Sequence, residues 1–135
     1  CDRLAPGVHK DLRKALPGIS LVQVVHVTGE ESITEGLQSA GRDIDAILLD
    51  SGNQSLPVKE LGGTGRTHDW SLSAQIVKES PVPVFLAGGL NPANVGKAIR
   101  TVRPFGVDVC NGVRTNGALD NPRLVQFIKA VTAAS

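Results

Sequence analysis

Ile19-Ser-Leu-Val-Gln-Val-Val-His-Val27 runs directly into Thr28-Gly-Glu-Glu31. The first stretch is apolar, β-branched and nearly continuous rather than alternating, as a parallel strand covered on both faces should be. The second offers a capping box: the Thr28 hydroxyl accepts from the backbone three residues on, and Glu31 reaches back. A helix to about Ala40 follows. One buried strand feeding one helix is a βα unit, and the rest of the chain repeats it.

Before this unit, Ala5 to Leu16 reads as a helix. Pro6 suits its first turn, Val8, Leu12, Ala15 and Leu16 form an apolar stripe, and Pro17-Gly18 ends it. After it, Ile44 to Asp50 is a second strand, followed by a long Gly-rich polar loop from Ser51 to about Asp69 and a helix from about Trp70 to Glu79. Val82 to Ala87 is a third strand. Asn91-Pro92, an N-cap with Pro at the first helical position, opens a helix to about Val102. Gly106 to Cys110 is a fourth strand, and Asn121-Pro122 repeats the cap before a last helix to about Ala134. The predicted order is one helix and then four βα units. Strict alternation implies a parallel sheet with helical crossovers. The units are short enough for a (β/α)₈ barrel, of which four strands are half; a doubly wound open sheet is the alternative on pattern alone. No linker or low-complexity stretch divides residues 1–135, which read as one domain.

Fourteen Lys and Arg residues balance thirteen Asp and Glu, for a net charge of +1, and the basic residues are scattered. That distribution gives no support to nucleic-acid or membrane-surface binding, which needs a concentrated basic patch. No apolar run approaches the roughly 18 residues of a membrane span. The two cysteines, Cys1 and Cys110, make neither a disulfide framework nor a CxxC metal motif, so a reducing cytoplasm is the expected compartment. The chain contains no Met, from which the expectation is a removed N-terminus or a partial sequence.

Chemistry in parallel α/β folds sits on the loops after the strands. Asp50 closes the second predicted strand at the rim of any such site. Partial burial would favour its neutral form and suit it to general-acid work; the other reading is a carboxylate that caps its own loop. Gly62, Gly63 and Gly65 let backbone N–H groups approach a ligand or let a lid close, or are merely flexible. His68 is either a base or an exposed loop histidine. Gly88-Gly89 at a strand end, with a helix behind, is an anion-site pattern or a tight turn. Asn111-Gly112 places a second glycine turn after the next strand, and the last two loops of a (β/α)₈ barrel frequently bind phosphate. Arg114 would add charge there or stay solvated. His26, on an apolar strand, reads as a satisfied core residue.

Three blocks of these residues carry a resemblance. Leu48-Leu49-Asp50-Ser51 followed by Gly62-Gly63-Thr64-Gly65-Arg66-Thr67-His68-Asp69-Trp70 is similar to an LLD(S/T) strand end preceding GG(S/T)GxxxDW. Leu86-Ala87-Gly88-Gly89-Leu90-Asn91-Pro92 with Asn94-Val95 matches (S/A)GGLNPxNV. Arg103-Pro104-Phe105-Gly106-Val107-Asp108-Val109, then Asn111-Gly112-Val113, resembles RPxGVDVxSGVE. In this order they resemble the phosphoribosylanthranilate isomerases, (β/α)₈-barrel enzymes of tryptophan biosynthesis, from about residue 44 to 128.

The resemblance implies an Amadori rearrangement of a small phosphosugar, N-(5′-phosphoribosyl)anthranilate, with no metal or organic cofactor. It implies Asp50 as the general acid, Gly63 and Gly65 in a loop over the substrate, and Gly88, Gly89, Asn111, Gly112 and Val113 around the phosphate. Cys110-Asn111 stands where the family usually has serine chemistry, and Arg114 where it has an acid. The family's base, a Cys in a Lys-Ile-Cys-Gly context on the first barrel strand, has no counterpart, and neither has the early-loop Arg that binds the anthranilate carboxylate. The expectation is therefore the C-terminal half of a barrel, completed by an N-terminal half or by a second copy of itself. Rival expectations are another phosphosugar-binding barrel enzyme and a non-catalytic phosphate-binding half-barrel.

Overall fold

The computed structural model describes residues 8–41, 43–51 and 69–135. Gly63, Gly65 and His68, and the predicted first turn around Pro6, lie outside them. The elements in chain order are α1 (Val8–Ala15), β1 (Val22–His26), α2 (Glu31–Ser39), β2 (Ala46–Asp50), α3 (Trp70–Glu79), β3 (Val84–Leu86), α4 (Val95–Val102), β4 (Gly106–Val107), a 3₁₀ turn (Asn111–Val113), β5 (Arg114–Thr115), β6 (Ala118–Leu119) and α5 (Asn121–Thr132).

The four long-range strands form one parallel sheet in the order β1-β2-β3-β4. Consecutive helices pack on one another, α2 on α3, α3 on α4 and α4 on α5. A sheet whose order never reverses, with its helices side by side, is wound on one face, and the doubly wound alternative fails. Strand alternation then sorts the side chains. Val25, Val27, Ile47, Leu49, Val84 and Leu86 point toward the helices and form the core with Ile76, Val95, Ala98, Val102 and Phe127. The other face carries Val22, Val24, Leu48 and Phe85, and Val22 is 50% exposed. β1 and β4 are the sheet's two edges, so the described strands do not close into a barrel.

Several local expectations change in three dimensions. The capping box at Thr28 does not form. Thr28 Oγ1 and Glu31 Oε1 are 3.2 Å apart, but the loop is tied by Ser32, whose buried hydroxyl accepts from Thr28 N at 3.0 Å and donates to the His26 carbonyl at 3.2 Å. A serine in the first turn of the helix reaches the strand end that Glu31, on the solvent side, cannot. Asn91-Pro92 opens a turn rather than the helix, which begins at Val95. Asp120, not Asn121, caps α5. β4 stops at Val107, where its partner strand β3 also ends, at Leu86. The stripe on α1 buries nothing, and Leu16 is exposed; α1 is held instead by His9 Nε2 against Gln23 Oε1 at 2.6 Å and by Arg13, whose Nη2 lies 2.8 Å from Asp45 Oδ2.

The β5–β6 hairpin is an element the sequence reading lacked. Asn116 and Gly117 both have positive φ, 51° and 79°, and Asn-Gly is the preferred pair for a two-residue hairpin turn. The hairpin leads into Asp120, whose carboxylate takes the Thr115 hydroxyl at 2.7 Å and the Arg123 N–H at 3.0 Å. These bonds, the Thr115 hydroxyl foremost, hold the Asp120 carboxyl below its ordinary range. A depressed folded value means stabilisation that is present above the unfolded value, about 4, and is lost as pH falls through the folded one. The melting temperature of the wild type should therefore exceed that of Asp120→Asn at neutral pH, and the gap should shrink below about pH 4. Thermal melts at a series of pH values check this, and a gap independent of pH would refute it.

Candidate functional site

Asp50 is the last residue of β2 and only 9% exposed. It shares the face of Leu48, opposite the helix-covered core, and both line a cavity of about 540 Å³ at the C-terminal end of the sheet. Its Oδ1 accepts the Ser51 N–H at 2.8 Å. The carboxyl both begins its own loop and lies at the cavity wall.

Gly88, Gly89, Asn111 and Gly112 line the same cavity. Gly88 and Gly89 have φ of +85° and +63°, where a side chain is strained. A Cβ at Gly88 would also meet Ser51, so this turn presses against the loop that begins at Asp50. Two asparagines lock the turn. Asn94 Oδ1 accepts the Asn91 N–H at 2.8 Å, Asn94 Nδ2 donates to the Gly89 carbonyl at 2.9 Å, and Asn91 Oδ1 accepts the Ala93 N–H at 2.9 Å. The helix expected right behind Gly89 is one short turn further on.

The second glycine turn packs directly on the first. A Cβ at Gly112 would be driven into the Leu90 carbonyl oxygen and the Asn91 backbone. Glycine is required there by close approach rather than by a left-handed conformation. Val113 lies beneath, buried in the core, and its side chain is not in the cavity wall. Cys110, a free exposed thiol, stands at the rim.

Arg114 does not supply charge to the cavity. It lies on β5, and its Nη1 donates to the Gly117 carbonyl at 2.9 Å, closing the hairpin. Among the described residues the cation at the cavity is Arg123, in the first turn of α5, whose Nη1 donates to the Arg114 carbonyl at 2.9 Å. Sequence reasoning passed over Arg123, and also over Asp108, which lines the cavity just past β4. Strand alternation could have flagged Asp108: it lies two residues beyond Gly106, which pairs with Phe85 on the inner face. Nothing in the sequence alone marked Arg123, because α5 reaches the site only through the intervening hairpin.

The arrangement is an acid at one strand end facing two interlocked glycine turns at the next two, with one cation among the described residues beside them. Such a site can take an anionic group on backbone N–H groups and present a carboxyl to the rest of the ligand. Among the described residues, no group of three or more His, Cys, Asp or Glu is placed to hold a metal ion, and no helix is long and apolar enough to cross a membrane.

The comparisons with known proteins converge on one family. Residues 8–130 match the profile of N-(5′-phosphoribosyl)anthranilate (PRA) isomerase. The chain is 42% identical over 118 residues to N-(5′-phosphoribosyl)anthranilate isomerase 2 of Methanosarcina mazei, covering 87% of this chain and 51% of that protein. The phosphoribosylanthranilate isomerase of Thermococcus kodakaraensis superposes with a TM-score of 0.73 at 38% identity, over 95% of this chain and 59% of that one. A phosphoribosylanthranilate isomerase solved in complex with reduced 1-(o-carboxyphenylamino)-1-deoxyribulose 5-phosphate superposes with a TM-score of 0.69 at 33% identity, over 92% of this chain and 54% of that one. The chain spans about half the length of the relatives it matches. The shared sheet agrees with a TIM-barrel-like fold, and with a profile match over nearly its whole length the chain belongs to the N-(5′-phosphoribosyl)anthranilate isomerase family.

Proposed function

We propose that residues 1–135 are the C-terminal half of a (β/α)₈-barrel phosphoribosylanthranilate isomerase and carry its general acid and its phosphate site. The observation that carries this reading is the single cavity shared by Asp50 and the two glycine turns. The 5′-phosphate sits on the turns Gly88-Gly89 and Asn111-Gly112-Val113, with Arg123 beside it. Gly63 and Gly65 belong to the loop that covers the substrate. Asp50, as the general acid, gives a proton to the ribose ring oxygen while the C1′–O bond breaks, and the anilino nitrogen pushes its lone pair in to form an iminium ion. A base then takes the C2′ proton, the electron pair of that C–H bond moves to form the C1′–C2′ double bond, and the C1′=N electrons return to nitrogen. The resulting enol tautomerises to the ketone. No external oxidant or cofactor is needed, because the substrate's own nitrogen is the electron sink.

The base and the ligand for the anthranilate carboxylate come from the other half of the barrel. The open edges of β1 and β4 are where that half adds: an edge strand presents unpaired N–H and C=O groups that take a further strand. Either an N-terminal half-barrel or a second copy closes the sheet.

The experiment is turnover of phosphoribosylanthranilate, followed by loss of its fluorescence, for the chain alone and for the chain co-expressed with the first half of the M. mazei isomerase. Turnover in the second case and not the first is the expected result. Turnover by the chain alone would mean that a self-assembled form supplies the base. No turnover in either, with the reduced product analogue still unbound, would overturn the isomerase reading.

A further inference from the structure

The inner face of the sheet is built in layers. Val24, Leu48, Phe85 and Gly106 are in register across the four strands, and His26 pairs with Asp50 one layer higher. Alternation continues that upper layer through Ala87 and Asp108. His26 therefore stands beside Asp50 on the inner face of the sheet, next to but not in the wall of the cavity, and not among Val25 and Val27 in the core. The expectation of a satisfied core histidine fails. Nδ1 and Nε2 are both buried, and neither has a hydrogen-bond partner among the described residues. Its main chain, by contrast, is tied by the Ser32 hydroxyl. Buried polar atoms without partners cost free energy, and each one in a native fold calls for a reason. The other inner-face residues of β1 are valines, which would fill the position at no such cost. His26, Asp50 and Asp108 do not converge as a metal site, and no described residue supplies a partner, which leaves a ligand atom or a group of the completing half-barrel.

The order of groups across the sheet says which part of the ligand that is. This step rests on the isomerase reading above. The phosphate turns follow β3 and β4, Asp50 ends β2, and His26 ends β1. Along the substrate, the 5′-phosphate is followed by the ring oxygen and then by C1′ with its anthranilate. With the phosphate on the turns and the ring oxygen at Asp50, the strand beyond Asp50 faces the aminated end. We propose that His26 is a specificity-determining residue whose imidazole accepts a hydrogen bond from the anilino N–H of the substrate and thereby separates this substrate from phosphosugars that lack the aryl amine.

The test measures binding by calorimetry in the complemented protein, for wild type, His26→Val and His26→Gln. The probes are the reduced product analogue and ribose 5-phosphate. His26→Val is expected to weaken the analogue about tenfold, the loss of one hydrogen bond to a buried partner, and to leave ribose 5-phosphate unchanged. His26→Gln, which keeps a donor and an acceptor, should recover part of the loss. The imidazole ¹⁵N shifts of the wild type should move with the analogue and not with ribose 5-phosphate. Equal weakening of both probes, or no weakening of either, overturns the proposal while leaving the isomerase reading intact. A wild type that binds neither probe removes the isomerase reading, and this proposal with it.

Discussion

Replacing Asp50 with Asn in the complemented protein is expected to lower turnover of phosphoribosylanthranilate by about 10²–10⁴-fold, the range for removing a general acid. Binding of the reduced product analogue should change only a few-fold. The reason is chemical. Asn keeps the volume of Asp and can still accept the Ser51 N–H that Asp50 Oδ1 now takes, so the loop start and the cavity wall persist. It cannot deliver a proton to an ether oxygen as the C1′–O bond breaks. The analogue has no ring to open and so makes no demand on the acid. Steady-state kinetics and analogue titration on the same samples check this. A loss in both, in proportion, would mean that Asp50 only shapes the loop. Turnover retained in the variant would remove it from the chemistry.

Gly112→Ala carries the second large effect. The added methyl points into the Leu90 carbonyl oxygen and the Asn91 backbone, so the two glycine turns must separate. The neighbour is backbone, tied through Asn94 to the Gly89 carbonyl, and cannot swing aside as a side chain can. Overpacking of this kind costs about 1–3 kcal/mol, and here the strain falls on the proposed phosphate site. The expectation is a lower melting temperature together with at least a tenfold weaker grip on ribose 5-phosphate. Gly117→Ala is the control. Its positive φ strains an alanine, but nothing lies within 4 Å of the new methyl, and the hairpin tip lies outside the cavity wall. It should lose a little stability and no affinity. If Gly112→Ala binds ribose 5-phosphate as tightly as Gly117→Ala does, the turn does not hold the phosphate.

Much of this architecture was legible in the sequence. The nearly continuous apolar runs ending at Val27 and Asp50 called for parallel strands, and the structure has them in adjacent register, His26 beside Asp50. Trp70–Glu79 is helical over the predicted span. The cavity brings together Asp50, Gly88, Gly89, Asn111 and Gly112, which three separate motifs had singled out. These features were readable because their causes are local. Side-chain periodicity, glycine at positive φ and acids at strand ends act within a few residues of chain.

What only the tertiary structure decided depends on contacts between distant segments. The doubly wound alternative fell because helices from four different units pack side by side, which no single unit encodes. Ser32 replaced the Thr28–Glu31 box because the strand end it ties is fixed by pairing with β2. Arg114 turned into the hairpin and Arg123 took its place at the cavity, since the Asn116-Gly117 turn reverses the chain between them. His26 looked like one more core residue of an apolar strand. Its unpartnered imidazole became visible only once register set it beside Asp50, because whether a buried polar atom finds a partner is a property of its neighbours in space and not of its neighbours in sequence.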